Sequence, residues 1–168
     1  MAFRISTLEI DGGARLGIAP LPGRFGDALA DLAVLARWRP DIVLSMTVED
    51  EMARHNMGDL AGMLEAMGIE HAPFPIRDFG VPEGVAGWPE LAPRLHRLLD
   101  RGGAVLAHCY GGHGRSGMVL LRLMVERGRD AHEALASLRQ RRPGAVETEA
   151  QFVWAARGAD SPWRREAR

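Results

Sequence analysis

The feature that most constrains this chain is a pair of apolar runs with a glycine-rich turn between them. Ala104-Val105-Leu106-Ala107 is short and continuously apolar, and Met118 to Val125 is apolar on every side except Arg122. A run of the first kind suits a central strand covered on both faces. The second suits a helix buried in the core. The segment between them, His108-Cys109-Tyr110-Gly111-Gly112-His113-Gly114-Arg115-Ser116-Gly117, must turn the chain from one to the other inside the protein.

The rest of the chain follows the same alternation. Phe3 to Ile10 and Arg15 to Ile18 read as a strand pair around Asp11-Gly12-Gly13. Phe25, Leu29, Leu32, Ala33 and Ala36 recur at helical spacing. Asp41 to Met46 reads as a buried strand, Asp59 to Met67 as a helix stopped by Gly68, and Glu70 to Pro75 as a weaker strand. From Pro75 to Pro93, with Pro82, Pro89, Gly80, Gly84 and Gly87, the composition predicts a long loop, and such loops are usually functional. Leu91, Leu95, Leu98 and Leu99 mark a helix ending at Gly102-Gly103; two more are expected over Ala131 to Gln140 and Glu149 to Arg157. Strands alternating with helices predict an α/β fold with a central, mostly parallel sheet flanked by helices. With 168 residues the chain is one domain, expected over residues 1–160, with 161–168 a frayed tail.

Composition narrows the class of function. The 46% apolar and 26% charged residues fit a soluble globular domain. A formal charge of −1 leaves no general basic field, so no nucleic acid or anionic membrane is expected as partner, and any phosphate recognition must be local. Every basic residue besides histidine is arginine, which we read as codon bias. The one cysteine, Cys109, rules out an internal disulfide and a multi-cysteine zinc or iron–sulfur site. His108, Cys109 and His113 do not make a zinc site either, since neighbours in sequence rarely converge on one ion. Met1 to Ser6 lacks the apolar core of a signal peptide, and no apolar run nears the roughly 18 residues of a membrane span. A reducing, cytoplasmic setting is therefore expected.

Between a buried strand and a buried helix, Tyr110, Gly111, Gly112, His113 and Gly114 form a turn whose glycines allow successive N–H groups to face one concavity. The helix that follows points its positive end at the same place. Arg115 adds a planar fork for two phosphate oxygens. The expected result is a cradle for a tetrahedral dianion with Cys109 at its floor, in a field that favours the thiolate. Such a thiolate can attack phosphorus and form a phospho-cysteine, and Ser116 can donate to the sulfur as it leaves. A nucleotide loop is a poorer reading: a Walker A sequence needs lysine, which is absent. Gly112, Gly114 and Gly117 match a dinucleotide pattern in letters only, with Glu133 as the nearest acidic candidate and Cys109 and Arg115 left unexplained.

At this point the chain resembles the cysteine-dependent protein tyrosine phosphatases. Cys109, five intervening residues and Arg115, preceded by His108 and followed by Ser116, look like their phosphate loop. Cys-Tyr-Gly-Gly-x-Gly-Arg-Ser is most similar to the kinase-associated branch of the dual-specificity group. The softer matches at Ala19 to Arg24 and at Arg142 to Thr148 with Gln151 extend the likeness over about Ile18 to Ala156. The resemblance implies an aspartate on an upstream loop as general acid, and Asp78 in Phe74-Pro75-Ile76-Arg77-Asp78-Phe79-Gly80-Val81-Pro82 stands at a similar spacing; a simple turn cap is the competing role. It implies a phosphomonoesterase needing no metal or cofactor, acting on a phosphorylated protein, at phosphotyrosine or at phosphoserine and phosphothreonine. Other readings are a phosphatase for a phosphoinositide or an RNA 5′-phosphate, and a phospho-residue-binding module without catalysis. His108 is expected to point away and brace the loop. His113 is either a rim residue in solvent or a partly charged selector of more anionic substrates. Gln151 either orients the hydrolytic water or, as the favoured role, completes a capping box with Thr148. Arg24 and Arg77 line the rim or are solvated.

Overall fold

A computed structural model describes residues 1–84 and 87–166. The chain forms a five-stranded sheet in the order β1 (Ser6–Glu9), β2 (Arg15–Ala19), β5 (Ala104–His108), β3 (Ile42–Ser45), β4 (Glu70–Pro73). β1 pairs antiparallel with β2; the other pairings are parallel, β5 aligning Ala107 with Ile18 on one side and with Leu44 on the other. The central position of β5 explains why its residues are all buried and all but the last apolar.

Alternate side chains of the central strands go to opposite faces. Leu16, Ile18, Ile42, Leu44, Val105 and Ala107 join one core, while Ala19, Val43 and Leu106 join the other. The first core is covered by α4 (Trp88–Asp100), α5 (Gly114–Glu126), α6 (Ala131–Arg141) and α7 (Glu149–Ala156); the second by α1 (Ala28–Trp38) and α3 (Leu60–Ala66). In α5 every residue is buried except Arg122, which is half-buried. Each leucine fully buried on it contributes about 1.5–3 kcal/mol of burial. That helix is the fixed axle behind the glycine-rich turn.

Three differences from the sequence reading matter for the site. First, α4 begins at Trp88, so the loop runs only over residues 74–87, of which 85 and 86 lie outside the described residues. Pro89 fits in the first turn, where its missing N–H has no partner to lose, and Pro93 is carried further inside. Second, a short helix α2 (Glu49–Ala53) follows β3 where none was expected. Third, the tail expected to fray is held as far as Arg165: Ser161 is buried, Trp163 lies against the core, and the Arg165 amide donates to the Glu126 carbonyl at 2.7 Å. Residues 167 and 168 lie outside the described residues. Among the described residues no helix is long and apolar enough to cross a membrane.

The loop at 74–87 is pinned at both ends. The Phe74 and Trp88 rings meet at 5.8 Å, and the Trp88 indole donates to the buried Glu126 carboxylate at 3.0 Å. Glu126 also accepts from His96 and Arg122, at 2.8 and 2.7 Å, so its charge is fully compensated deep in the core.

Candidate active site

Cys109 follows directly on β5 and is buried, with Sγ 3.3 Å from the Ser116 hydroxyl in the first turn of α5. The turn between them is held from outside by its carbonyls. Tyr110 O accepts from the Leu21 amide at 3.2 Å and from Arg24 at 3.1 Å. Gly111 O and Gly112 O accept from Arg142 at 2.9 and 2.8 Å, and His113 O accepts from the amides of Gly117 and Val146. In a trans peptide the N–H points opposite to the carbonyl. Tying these carbonyls outward therefore turns the following amides inward, toward the cysteine. Gly112 can be nothing larger: its φ is +68° and a Cβ would come within 2.4 Å of the Ala19 backbone.

Arg115 is almost wholly buried, and its guanidinium is fixed from several sides. Nη1 donates to Glu51 Oε2 at 2.7 Å and to the Ile76 carbonyl at 2.9 Å, and Nη2 donates to Glu51 Oε1 at 2.7 Å. Burial alone would make this guanidinium less basic; the Glu51 hydrogen bonds, Cys109 and Asp78 more than offset that and raise its pKa. Burial likewise opposes the Glu51 charge, but Arg115 and the Val48 amide hold its carboxyl below the usual range. Glu51 is the functional residue that sequence reasoning missed. The signal was there in the acidic stretch Glu49-Asp50-Glu51, three residues of helix start, whose last carboxylate reaches back to the Val48 amide.

Asp78 is brought to the same place. Its Oδ1 lies 3.1 Å from Arg115 Nη2, on a side chain that is 53% exposed. The competing role as a turn cap is also visible, since Oδ1 accepts from the Phe79 amide at 3.1 Å. Phe79 itself has φ +59°, a strained conformation for an aromatic residue, and is exposed.

Gln151 does not point freely at the cysteine. Its Oε1 accepts from the Glu147 and Thr148 amides and its Nε2 donates to the Gly80 carbonyl at 3.2 Å, so it ties the start of α7 to the loop that carries Asp78. Thr148 caps the helix through the Gln151 amide. Glu147 lies beside Gly114, where a Cβ would come within 3.0 Å of Gln151 Oε1 as well. Burial and the neighbouring Asp78 charge raise the Glu147 carboxyl above the usual range. No role had been given to Glu147 from sequence.

His108 faces away from the turn. Its Nε2 lies 2.6 Å from the Ser45 hydroxyl, which is 2.8 Å from His71 Nε2. Complete burial pushes the His108 imidazole down to about 4, despite an opposing contact with the Cys109 backbone, so the ring is neutral at physiological pH. Tyr110 stands at the mouth, with its hydroxyl 3.2 Å from His55 Nε2 and the Arg24 guanidinium 4.3 Å above its ring. His113 is half-buried at the helix start; burial, Arg142 and Arg24 hold its imidazole below the ordinary value. Arg77 lines the mouth with Val48, Glu51, Arg54, Asp78 and Tyr110. Among the described residues no group of three or more His, Cys, Asp or Glu side chains is placed to hold a metal ion.

This arrangement presents a buried thiol, a hydroxyl beside it, a fixed guanidinium and a carboxylate across the opening. Residues 74–159 match the family model described as protein-tyrosine phosphatase. The chain is 30% identical over 144 residues to the mouse protein named cyclin-dependent kinase inhibitor 3, covering 82% of this chain and 68% of that one. The human protein of that name is 30% identical over 156 residues, covering 88% and 73%. Among solved structures, kinase-associated phosphatase with its catalytic cysteine changed to serine superposes with a TM-score of 0.83 at 25% identity, covering 95% of this chain and 96% of that one. Tk-PTP in its active form gives 0.67 at 32% identity, covering 89% and 92%.

Proposed function

The chain belongs to the protein-tyrosine phosphatase family and is a cysteine-dependent phosphatase, and we propose that it hydrolyses phosphotyrosine, with phosphoserine and phosphothreonine beside it, on phosphorylated proteins in a reducing, cytoplasmic setting. The observation that carries the mechanism is the convergence of Cys109 Sγ, Ser116 Oγ, the Arg115 guanidinium and the Asp78 carboxylate at the end of β5.

In this reading the inward amides of Tyr110 to Gly114 and the fork of Arg115 hold the phosphate oxygens. Arg115 needs no reorganisation, because Glu51 and the Ile76 carbonyl already fix its plane. The Cys109 thiolate attacks phosphorus as the bond to the leaving oxygen breaks. Asp78 gives that oxygen its proton, so the product leaves as an alcohol or phenol. Water then attacks the phospho-cysteine, Asp78 takes the proton back, and sulfur departs with Ser116 donating to it. In the unliganded protein Asp78 pairs with Arg115; an incoming dianion competes for that guanidinium and frees the carboxyl to turn to the leaving oxygen. His108 and Gln151 are positioning residues, one behind the cysteine and the other behind the Asp78 loop.

The test is turnover of a phosphotyrosine peptide and of para-nitrophenyl phosphate by the wild type and by Cys109→Ser, with chelator present. Chelator-resistant turnover that the variant loses, while the variant still binds the peptide, is the expected result. Turnover by the folded variant would overturn the nucleophile.

A further inference from the structure

Behind Cys109, on the sheet face that α1 and α3 cover, polar side chains from three strands meet. Ser45 at the end of β3 lies opposite His108 at the end of β5, and His71 comes from the edge strand β4. By strand alternation they share the face of Val43 and Leu106. The Ser45 hydroxyl lies 2.6 Å from His108 Nε2 and 2.8 Å from His71 Nε2. Ser45 and His108 are buried; His71 is half-buried and forms the solvent end of the row. The reaction as described uses neither Ser45 nor His71.

One hydroxyl carries one proton. It donates to one of the two imidazole nitrogens and accepts from the other, so one Nε2 holds a hydrogen and its counterpart does not. Two arrangements of neutral rings satisfy all three groups. In the first, His108 donates to Ser45 and Ser45 to His71, which leaves His108 Nδ1 bare. In the second, His71 donates to Ser45 and Ser45 to His108, which puts the His108 hydrogen on Nδ1. Among the described residues His108 Nδ1 is buried without a hydrogen-bond partner. The ring's backbone contact is with Cys109; it favours a ring that donates, but lies outside hydrogen-bond geometry. A buried N–H without an acceptor is the costlier orphan, so the first arrangement is the resting one.

A proton at His71 removes the choice. A charged His71 can only donate, so His108 passes its Nε2 hydrogen through Ser45 to His71 and takes one from solvent on Nδ1. The net uptake is one proton, the charge stays on His71, and His108 remains neutral. Little else competes for that charge. The elements packed most closely on β4 are β3 and α3. β3 brings Ser45, and α3 brings one titratable residue, Glu65, which is exposed. Glu70, beside His71 on β4, is turned to the opposite face and paired with Arg94 from α4. Burial holds the His71 imidazole below its ordinary 6.5, and the charges that act on His108 are His71, Arg115 and Glu51.

We propose that Ser45 and His71 are positioning residues for the nucleophile: they set the tautomer of His108, and a proton taken up by His71 at the sheet edge places an N–H against the Cys109 backbone. The positive end of that N–H favours the thiolate without putting a charge on the His108 ring. Cys109 therefore stays ionised further into acid than a fixed His108 would allow. This rests on the reading of Cys109 as nucleophile.

The experiment follows the histidine ring nitrogens by NMR from about pH 7.5 to 5 and, over the same range, the rate at which iodoacetamide alkylates Cys109, which reads the thiolate. In wild type the His108 signals should pass from the Nε2–H to the Nδ1–H pattern as His71 titrates, with His108 itself uncharged. In Ser45→Ala, His71 should still titrate while the His108 pattern no longer follows. The alkylation rate at pH 5 relative to pH 7.5 should be about two- to tenfold lower in Ser45→Ala and in His71→Leu than in wild type, the range of one hydrogen bond. Ser45→Thr, which keeps the hydroxyl, should restore it. Should Ser45→Ala not fold, His71→Leu, on the half-buried edge strand, carries the comparison alone. A His108 pattern that stays constant with pH in wild type, or changes alike in Ser45→Ala, overturns the proposal. So does an alkylation ratio that neither variant moves, even where turnover falls, since that loss is structural. Turnover that survives complete alkylation of Cys109 is failure of the nucleophile reading instead, and the His108 signals then still decide the coupling.

Discussion

Glu51 and Arg115 meet as a forked pair, Oε2 on Nη1 and Oε1 on Nη2, both at 2.7 Å and both out of solvent. The pair joins α2 to α5 across 64 residues of chain, and it fixes the plane of the guanidinium.

Glu51→Gln should keep the shape and lose the charge. One of the two Arg115 contacts then faces an amide donor, leaving a buried cation undercompensated, which costs about 1–3 kcal/mol of stability. We expect kcat/KM to fall by about 10- to 100-fold with the fold retained, read by urea titration and steady-state kinetics. The sign with pH follows from the lowered Glu51 pKa: the pair's stabilisation is present above the ordinary carboxylate range and is lost as pH falls through the folded value. Wild type should lose more stability than the variant on acidification below about pH 4.5.

Asp78→Asn should separate leaving groups. An alkyl phosphate such as phosphoserine needs its oxygen protonated, so its kcat should fall by about 10²–10⁴-fold. Para-nitrophenolate leaves well without that proton, so kcat/KM for its ester, which is set before the Asp78-assisted hydrolysis of the phospho-cysteine, should lose much less. Equal losses on both substrates would show that Asp78 is only the turn cap its contact with the Phe79 amide also allows.

How far the sequence could be read differs along the chain for physical reasons. The strand at Ala104–His108, the turn and the buried helix were legible because each has its own local signature: continuous apolarity, clustered glycine, apolarity all round. The α/β architecture followed from that and from the alternation around it. Glu51 was not legible as a partner of Arg115, because the pair exists only once β3 lies beside β5 and α2 folds over the strand ends. The start of α4 at Trp88 was hidden by Pro89 and Pro93, which read as loop although a first-turn proline favours a helix. The packed tail depends on Trp163 finding a core that no local pattern announces.

His108 should make stability fall on mild acidification. Its folded pKa of about 4 lies below the ordinary 6.5, mainly through burial. The unfolded chain therefore binds a proton below pH 6.5 that the folded protein does not take until about pH 4. Full stabilisation is present above pH 6.5, and on the order of 3 kcal/mol is lost across that window. Chemical denaturation at steps from pH 7.5 to 4.5 should show the slope, and His108→Asn should flatten it. A residual slope belongs to His71 and His113, which burial also holds below their ordinary values.

Gln151→Leu decides between latch and water-positioning residue. The latch reading rests on where its amide goes: Oε1 is taken by two backbone N–H groups and Nε2 by Gly80 O, two residues beyond Asp78. Removing the amide frees the Asp78 loop and uncaps α7, so the losses should copy those of Asp78→Asn: large for an alkyl phosphate, small for para-nitrophenyl phosphate. If Gln151 instead orients the hydrolytic water, the second step slows whatever the leaving group, and phospho-cysteine accumulates. Rapid-mix turnover of para-nitrophenyl phosphate, run beside Asp78→Asn, separates the two, since Asp78 also serves the second step. We expect the burst of nitrophenolate from Gln151→Leu to be no larger than that from Asp78→Asn, because a side chain whose acceptor is already spent on two amides has no oxygen left to hold a water in line with the Cys109–phosphorus bond.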